Sequence, residues 1–377
     1  MHLSEKHNLI RKLARDFAET EMTDEILMEV EETGVFPVEI QKKMAAAGFY
    51  GIKVPEKYDG QGSDHLAYAI IIEEFAKVSG VGSLYVNAPN SLGGMPILLA
   101  GTEEQKEKYL KPLVKGDYVI AFGLTEPGGG SDAAALRTIA REDGDYFIID
   151  GRKTFITMAP FADYTVVFAR VNNLDDGVTA FIVDMKLPGV SVGKEEKKLG
   201  LRGCATSDVI LEDVRVHKSC QLGQIGEGFK IAMKALDVGR IGVAAQSVGV
   251  AEACLQEAIK YSHERKSFGQ YLYEHQAVAF MIADMAVKVK AARELVYDAA
   301  VTKDKGGNVT LASAMAKYYA SEICNEVAAK ALQIHGGYGF VEGFKIERLY
   351  RDCRVFTIYE GTSQVQQIVI SKQLLGK

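Results

Sequence analysis

The hydrophobic positions of this chain change their spacing twice, which divides the chain into three parts. Residues 1–117 carry apolar side chains three or four positions apart, as at Leu9 and Leu13, which is the spacing of amphipathic helices. Residues 118–225 consist of short apolar runs between regularly spaced turn signals, a pattern typical of antiparallel strands. Residues 226–377 return to helical spacing. The pattern predicts a multidomain α+β protein with an N-terminal helical domain, a middle antiparallel β domain and a C-terminal helical domain.

The C-terminal part contains four helical segments, at about 228–265, 275–303, 311–334 and 363–375. Because short links join several of these segments, the pattern predicts a four-helix bundle. Apolar residues cover more than one side of the long helices, so we expect further burial through self-association.

Composition narrows the class of protein. With 377 residues, of which 47% are hydrophobic and 25% charged, the chain has the make-up of a globular protein of two or three domains. Its net charge of -6 argues against nucleic-acid binding, and no apolar run reaches the ~20 residues of a membrane span. The five cysteines are widely spaced and form no C-x-x-C pair. We therefore expect reduced thiols in a cytoplasmic protein, with neither a disulfide framework nor a metal site.

One stretch concentrates the features of a ligand-binding turn. Residues 122–132 read Phe-Gly-Leu-Thr-Glu-Pro-Gly-Gly-Gly-Ser-Asp and follow an apolar, strand-like run at 118–121. Consecutive glycines let a backbone approach a ligand closely, and the N–H groups of such a turn can bind an anion or a carbonyl oxygen. The alternative is an ordinary loop between two strands. No G-x-G-x-x-G follows a strand, so a dinucleotide-binding fingerprint is absent from the sequence.

This stretch resembles the (Tyr/Phe)-x-Leu-Thr-Glu-Pro-x-x-Gly-Ser-Asp signature of the acyl-CoA dehydrogenases, a family of FAD enzymes. The resemblance covers essentially the whole chain. Five further blocks follow in the family's order: Lys153-Thr154-Phe155-Ile156-Thr157, Gly200-Leu201-Arg202-Gly203, Glu264-Arg265-Lys266-Ser267-Phe268-Gly269, Gln333-Ile334-His335-Gly336-Gly337 and Tyr359-Glu360-Gly361-Thr362-Ser363-Gln364. The resemblance implies the family's three-domain plan, with the flavin between the β domain and the bundle. It also implies subunits that form dimers, which pair into tetramers.

Glu360 is the candidate catalytic base. It follows an apolar run and precedes a helix, and desolvation there would raise its pKa and suit it to removing a weakly acidic C–H proton. From the residues alone, a carboxylate that favours the helix dipole is the simpler interpretation. The resemblance favours catalysis, because the glutamate of this block is the base in most members. Other members carry the base on the long helix, at the position of Gly239, where glycine cannot serve.

The resemblance implies α,β-dehydrogenation of an acyl-CoA thioester to the trans-2-enoyl-CoA, with a proton passing to Glu360 and a hydride to flavin N5. It also implies electron exchange with an electron-transfer flavoprotein. The positions that match FAD contacts are Phe122, Leu124, Thr125, Ser131, Phe155, Thr157, Arg265, Ser267, Phe268, Gln333, Gly336, Gly337, Thr362 and Gln364. The positions that match contacts to the CoA thioester are Ser131, Leu236, Asp237, Arg240 and Gly361. The blocks around Arg265 and Gln333 are expected to reach FAD across the dimer interface.

Two features bear on substrate and partner. The family usually has Trp-Ile-Thr-Asn where this chain has Phe155 and Met158 at the ends of the same block, so we expect an altered flavin potential or partner docking. The acyl pocket is expected at residues 85–94. There, Asn87 and Asn90 indicate a short or partly polar acyl group, and the lack of arginine argues against a glutaryl-type substrate.

The residues do not fix the direction of the reaction, because one carboxyl group serves as base and as acid. The alternative is therefore the reverse chemistry, by an enoyl-CoA reductase for short-chain or aryl enoyl-CoA. An acyl-CoA oxidase is disfavoured, because those enzymes usually carry an additional C-terminal domain. A non-catalytic flavin-binding scaffold is disfavoured by the presence of Glu360, Thr125 and Arg265.

Overall fold

The computed structural model describes residues 2–172 and 177–376. Across these ranges, none of the helices combines the length and the apolar character that a membrane crossing requires. The same residues contain no group of three or more His, Cys, Asp or Glu side chains placed to hold a metal ion.

The first part of the chain is helical, and side chains fix where its helices begin. Ser4 accepts the N–H of His7 at the start of the first helix, and Thr102 and Gln105 form a capping box at the start of the seventh. The helices are α1 (Glu5–Glu21), α2 (Asp24–Thr33), α3 (Val38–Ala46), α4 (His65–Val78), α5 (Gly80–Ala88), α6 (Met95–Ala100) and α7 (Glu103–Lys115).

The middle part forms one sheet. Its strands are β1 (Ile120–Gly123), β2 (Ile139–Asp143), β3 (Tyr146–Thr157), β4 (Tyr164–Val171), β5 (Val178–Asp184), β6 (Val190–Val192), β7 (Thr206–His217) and β8 (Gln221–Leu222). They lie in the order β6-β7-β3-β2-β4-β5-β8, with β1 beside β4. The expected antiparallel pairing is confirmed between most neighbours, but β1 and β2 both pair with β4 in parallel.

The C-terminal part is the predicted helical bundle with one further helix. It consists of α8 (Gly228–Glu264), the short strands β9 (Lys266–Ser267) and β10 (Gln270–Tyr271), and the helices α9 (Gln276–Asp304), α10 (Val309–His335), α11 (Lys345–Cys353) and α12 (Ser363–Leu375). The helix α8 is central, because it packs against α9 and α10 of the bundle and against α4 of the N-terminal part.

Close packing around α8 depends on glycines along one face of the helix. A Cβ atom added at Gly228, Gly239, Gly242 or Gly249 would overlap atoms of the neighbouring elements. These positions are separated by 11, 3 and 7 residues, which places them on one side of a helix with 3.6 residues per turn. The glycine face therefore lets other segments approach the helix axis, and two of its members border the candidate active site.

Candidate active site

Glu360 lies in a sharp turn between the bundle helices α11 and α12. Its φ angle is +52°, in the left-handed region that a residue with a side chain seldom adopts. The side chain of Gln366 donates to the carbonyl oxygens of Glu360 and Gly361, at 3.3 and 2.9 Å, which holds the turn. Thr362 then caps α12 by accepting the N–H of Val365. Strain of this kind persists only where surrounding contacts maintain it, as these do.

The carboxylate of Glu360 has the environment of a proton-transfer group. Its Oε2 atom is buried and has no hydrogen-bond partner among the described residues. Burial raises the pKa of Glu360 to about 7, against the opposing charges of Lys317, Arg240 and Lys53. Both protonation states are therefore accessible near neutral pH, which suits an acid–base catalyst.

The wall beside this carboxylate is formed by α8. A Cβ atom at Gly239 would overlap Glu360 Oε2, and a Cβ atom at Gly242 would overlap the Tyr68 hydroxyl and Asn87 Oδ1. The Tyr68 hydroxyl donates to Asn87 Oδ1. Asn87 thus lies beside Gly242 of this wall, and its place in an acyl pocket stays a prediction.

Asn90, the other asparagine expected in the acyl pocket, has a structural role instead. Its amide donates to the carbonyls of Phe49 and Val86, and its Oδ1 accepts the N–H of Ile52. These bonds occupy the side chain, so in this structure Asn90 holds neighbouring backbone segments together, and the short or partly polar acyl group stays a prediction.

Lys317 is a buried cation that the sequence did not single out. Its ammonium donates to the Gly361 carbonyl at 2.7 Å, and burial lowers its pKa to about 8. It therefore supports the turn that carries Glu360. The signal in the sequence would have been a lysine in an otherwise apolar stretch of α10.

Asp237 and Arg240 form a buried ion pair at 2.8 Å on α8. Thr310 donates a second bond to Asp237, at 2.7 Å, and Arg240 Nε has no partner within the described residues. Pairing offsets part of the free-energy cost of burying these two charges. The free Nε leaves Arg240 able to bind a ligand. Neighbouring Leu236 is partly buried on the same helix.

The glycine-rich turn after β1 is organised by a buried ion pair that the sequence did not reveal. Lys153 donates to Glu126 at 2.7 Å, and the same carboxylate accepts the N–H and hydroxyl of Thr138. The N–H of Thr154 donates to the carbonyl of Thr125 at 2.9 Å. The first two sequence blocks are thus joined through backbone and side chain.

Several groups around this turn are free to contact a cofactor. Gly128 has open space around it, and the hydroxyls of Thr125 and Ser131 make no hydrogen bond within residues 2–172 and 177–376. Phe122 is half-buried and Leu124 buried, whereas Phe155 is 65% exposed. Half-buried Thr157 lies two residues further along β3. Free hydroxyls and open backbone fit the polar edge of a flavin.

The remaining predicted cofactor residues form a separate, exposed cluster. Arg265, Phe268 and Gln333 are exposed and Ser267 is half-buried at the ends of α8 and α10, and Gly336 and Gly337 have open space around them. The guanidinium of Arg265 lies 6.0 Å from the ring of Tyr338, which follows the two glycines. The sequence blocks at 264–269 and 333–337 therefore meet at one end of the bundle. Gln364 is exposed in the first turn of α12.

Comparison with known proteins defines the class. The acyl-CoA dehydrogenase N-terminal, middle and C-terminal domain families match residues 4–117, 121–214 and 226–375. The chain therefore belongs to the acyl-CoA dehydrogenase family, as the sequence blocks indicated. It is an oxidoreductase that acts on CoA thioesters, and its cofactor is FAD.

Individual relatives are similar over their full length. The chain is 60% identical to a caffeyl-CoA reductase–Etf complex subunit of Acetobacterium woodii, with all of both chains covered. It is 55% identical to a 3-(aryl)acrylate reductase of Clostridium sporogenes, again with full coverage. Among solved structures, butyryl-CoA dehydrogenase of Megasphaera elsdenii matches with a TM-score of 0.96 at 41% identity, covering 100% of this chain and 99% of that one. Oxidation or reduction of the α,β carbon–carbon bond of a thioester is compatible with the names of all three relatives.

Proposed function

We propose that this chain reduces the α,β double bond of a 3-arylacryloyl-CoA thioester with electrons from an electron-transfer flavoprotein. The observation that carries the proposal is that sequence identity is higher to the relatives named for aryl substrates than to butyryl-CoA dehydrogenase. The two relatives named for aryl substrates are 60% and 55% identical, whereas the butyryl-CoA dehydrogenase structure is 41% identical. The name of the first relative also includes an Etf complex, which supports a flavoprotein partner for this chain.

Glu360 acts as the general acid in this direction. Its buried carboxyl group, with a pKa raised to about 7, delivers a proton to the α-carbon of the enoyl thioester. FAD, when bound, supplies the hydride equivalent. The backbone N–H of Glu360 makes no hydrogen bond to another described residue, so it is available to polarise the thioester carbonyl. Because proton transfer is reversible, the same group serves as base in dehydrogenation.

The FAD and CoA contacts predicted from the sequence belong to this proposal. The free hydroxyls of Thr125 and Ser131 support contacts to the flavin, and the unpartnered Nε of Arg240 supports a contact to the CoA thioester. The exposed cluster around Arg265 supports binding of FAD across a subunit interface. Reduced cysteines support a cytoplasmic location.

Self-association is also part of the proposal. Phe280 and Val287 are 65% and 69% exposed, seven residues apart on α9. An apolar stripe of this kind would be covered in a dimer or a dimer of dimers. Sedimentation analysis of the FAD-loaded protein tests the oligomeric state directly.

A second candidate function is dehydrogenation of a short-chain acyl-CoA. It is favoured by the full-length structural match to butyryl-CoA dehydrogenase. The two functions share Glu360 and differ in the acyl group and in the direction of electron flow.

An anaerobic titration separates the candidates. FAD-loaded protein, reduced chemically, is mixed with cinnamoyl-CoA or crotonyl-CoA, and return of the flavin absorbance is followed. Oxidised protein is mixed in parallel with 3-phenylpropionyl-CoA or butyryl-CoA, and bleaching is followed. We expect the fastest reaction between reduced protein and cinnamoyl-CoA, and loss of that reaction in Glu360→Gln. Reoxidation by crotonyl-CoA alone would contradict the aryl assignment.

A further inference from the structure

Three buried polar atoms without hydrogen-bond partners cluster in the segment that leads into α4. Among the described residues, Lys53 Nζ, Ser63 Oγ and His65 Nε2 are all inaccessible and unpaired. Lys53 as a whole is only 9% exposed. The N–H of Ser63 donates to the carbonyl of Ile52 at 2.8 Å, which brings the backbone of Ser63 beside that of Lys53. Because buried polar groups in proteins normally have a hydrogen-bond partner, protein or water, these atoms can offer hydrogen bonds to a polar group that binds beside them.

The cluster adjoins the active site through Tyr68. Lys53 Nζ lies 4.0 Å from the centre of the Tyr68 ring, over its face. The hydroxyl of Tyr68 abuts Gly242 on α8, and Glu360 abuts Gly239 one turn earlier. These two glycines are ~4.5 Å apart along the helix axis. Tyr68 is therefore the next side chain along the glycine face from Glu360, and the amine of Lys53 lies against its ring.

The free groups differ in what they can bind. His65 Nδ1 is bonded to Asp304 at 2.6 Å, which directs the ring so that Nε2 is the free atom. A ring whose Nδ1 carries the proton presents Nε2 as an acceptor. Burial lowers the pKa of His65, which favours its neutral form, and burial also lowers the pKa of Lys53. The cluster therefore offers acceptors as well as donors.

This mixture selects one ligand chemistry. A carboxylate only accepts hydrogen bonds, and it would meet a histidine acceptor and the nearby charge of Asp304. A phenolic hydroxyl both donates and accepts, so it can accept from the lysine amine and the serine hydroxyl and donate to the imidazole nitrogen.

We propose that Lys53, Ser63 and His65 bind a hydroxyl group on the aromatic ring of the substrate and so select hydroxylated 3-arylacryloyl-CoA thioesters. The inference rests on the proposed aryl enoyl-CoA reductase function and specifies its substrate. Lys53 is the principal specificity-determining residue, and it takes no part in proton transfer.

The test compares cinnamoyl-CoA with 4-hydroxycinnamoyl-CoA and 3,4-dihydroxycinnamoyl-CoA on the FAD-loaded protein. We expect a kcat/KM about tenfold higher for at least one hydroxylated thioester in the wild type, the effect of one net hydrogen bond. Lys53→Met should lower the ratio of kcat/KM for that thioester to kcat/KM for cinnamoyl-CoA from about 10 to about 1, because the hydrogen bond to the ring hydroxyl is lost while the remaining contacts are common to both thioesters. Lys12→Met, on the exposed side of α1, is the matched control.

The outcomes are distinguishable. Equal kcat/KM values for all three thioesters in the wild type would overturn the inference and leave the reductase function standing. An equal fall for all three in Lys53→Met would show that the lysine is structural, and would also overturn it. If Lys53→Met does not fold, Ser63→Ala and the wild-type comparison decide, with a reduced preference expected in Ser63→Ala. If no arylacryloyl-CoA is reduced, the proposed function itself fails, and the inference with it.

Discussion

Glu360 Oε2 occupies the space that a Cβ atom of residue 239 would need, so the carboxylate and Gly239 are mutually dependent. We predict that Gly239→Ala displaces the carboxylate and lowers turnover by about 100-fold, the effect of a misplacement near 1 Å. FAD absorbance and the thermal unfolding midpoint should change little. Stopped-flow reduction with cinnamoyl-CoA measures the effect. Turnover at the wild-type rate would show that the carboxylate does not work in its observed position.

The same contact predicts that the proton-transfer group can be moved. Glu360→Gly should lower turnover by 10²- to 10⁴-fold, the usual contribution of general acid–base catalysis. Adding Gly239→Glu to that variant places a carboxylate at the same point from the opposite side. We expect the double variant to recover at least part of the lost rate. Gly239→Gln in the Glu360→Gly background is the control, because it fills the space without a titrating group.

The pH dependence should reveal the direction in which Glu360 works. Its pKa is raised to about 7, so the acid form predominates below neutrality and the base form above it. Reduction of an enoyl-CoA should therefore slow as the pH rises through about 7, and dehydrogenation should accelerate over the same interval. Single-turnover rates between pH 5.5 and 9 test both slopes. Slopes of the same sign in the two directions would exclude Glu360 as the shared group.

Lys317 should influence the pH at which the rate of enoyl-CoA reduction changes. Its positive charge is the largest influence that lowers the pKa of Glu360 against burial. Lys317→Met should therefore move the inflection of the reductive profile to higher pH, and weaken the turn through loss of the bond to Gly361. Lys12→Met, with the same change of charge at an exposed site, should leave the inflection in place. A purely structural lysine would alter the rate at every pH without moving the inflection.

Asp352 should make the fold less stable as the pH rises. It is 2% exposed, and burial raises its pKa to about 7, whereas the unfolded chain titrates near 3.8. The native state therefore retains a proton that the unfolded state loses, and the stability present at pH 4 falls on the way to pH 7, by at most ~1.4 kcal/mol per pH unit.

The variant Asp352→Asn tests this relation. The amide oxygen can still accept the N–H of Leu201, bonded at 2.6 Å in the wild type, while the charge is gone. Urea unfolding at pH 5 and pH 8 should show a smaller loss of unfolding free energy in Asp352→Asn than in wild type or in the exposed control Asp16→Asn. Equal losses in all three proteins would exclude Asp352 as the origin.

The fold class was predictable because its signals are periodic and local. Thr102 and Gln105, for example, predict the start of α7, because their spacing is that of a capping box. The parallel pairing of β4 was not predictable in this way, because turn signals report strands that follow one another directly. The helix α11 was also missed, since five of its nine residues are charged and its buried stripe is short.

The candidate site also contains residues that the sequence could predict and residues that it could not. The setting of Glu360, a desolvated carboxylate just before a helix capped by Thr362, was predictable from its block, because the residues that form this setting lie together in sequence. Lys53 lies between Ile52 and Val54 in a segment without regular secondary structure, where a lysine is expected at the surface, and its burial follows only when Tyr68 of α4 lies against its amine. Its unpaired amine is a property of tertiary packing, as is the buried pair of Lys153 and Glu126.

The glycine face of α8 has a further consequence for how this enzyme can vary. Along most buried helices, the bulkiest side chains tolerate replacement least, because their loss leaves cavities. On α8, the positions occupied by a single hydrogen atom should be the least tolerant, since gaining one methyl group there intrudes on the carboxylate or on Tyr68. A saturation library over residues 228–264 should therefore find its strictest constraints at these glycines. The shape of the active site thus depends on side chains that α8 does not have.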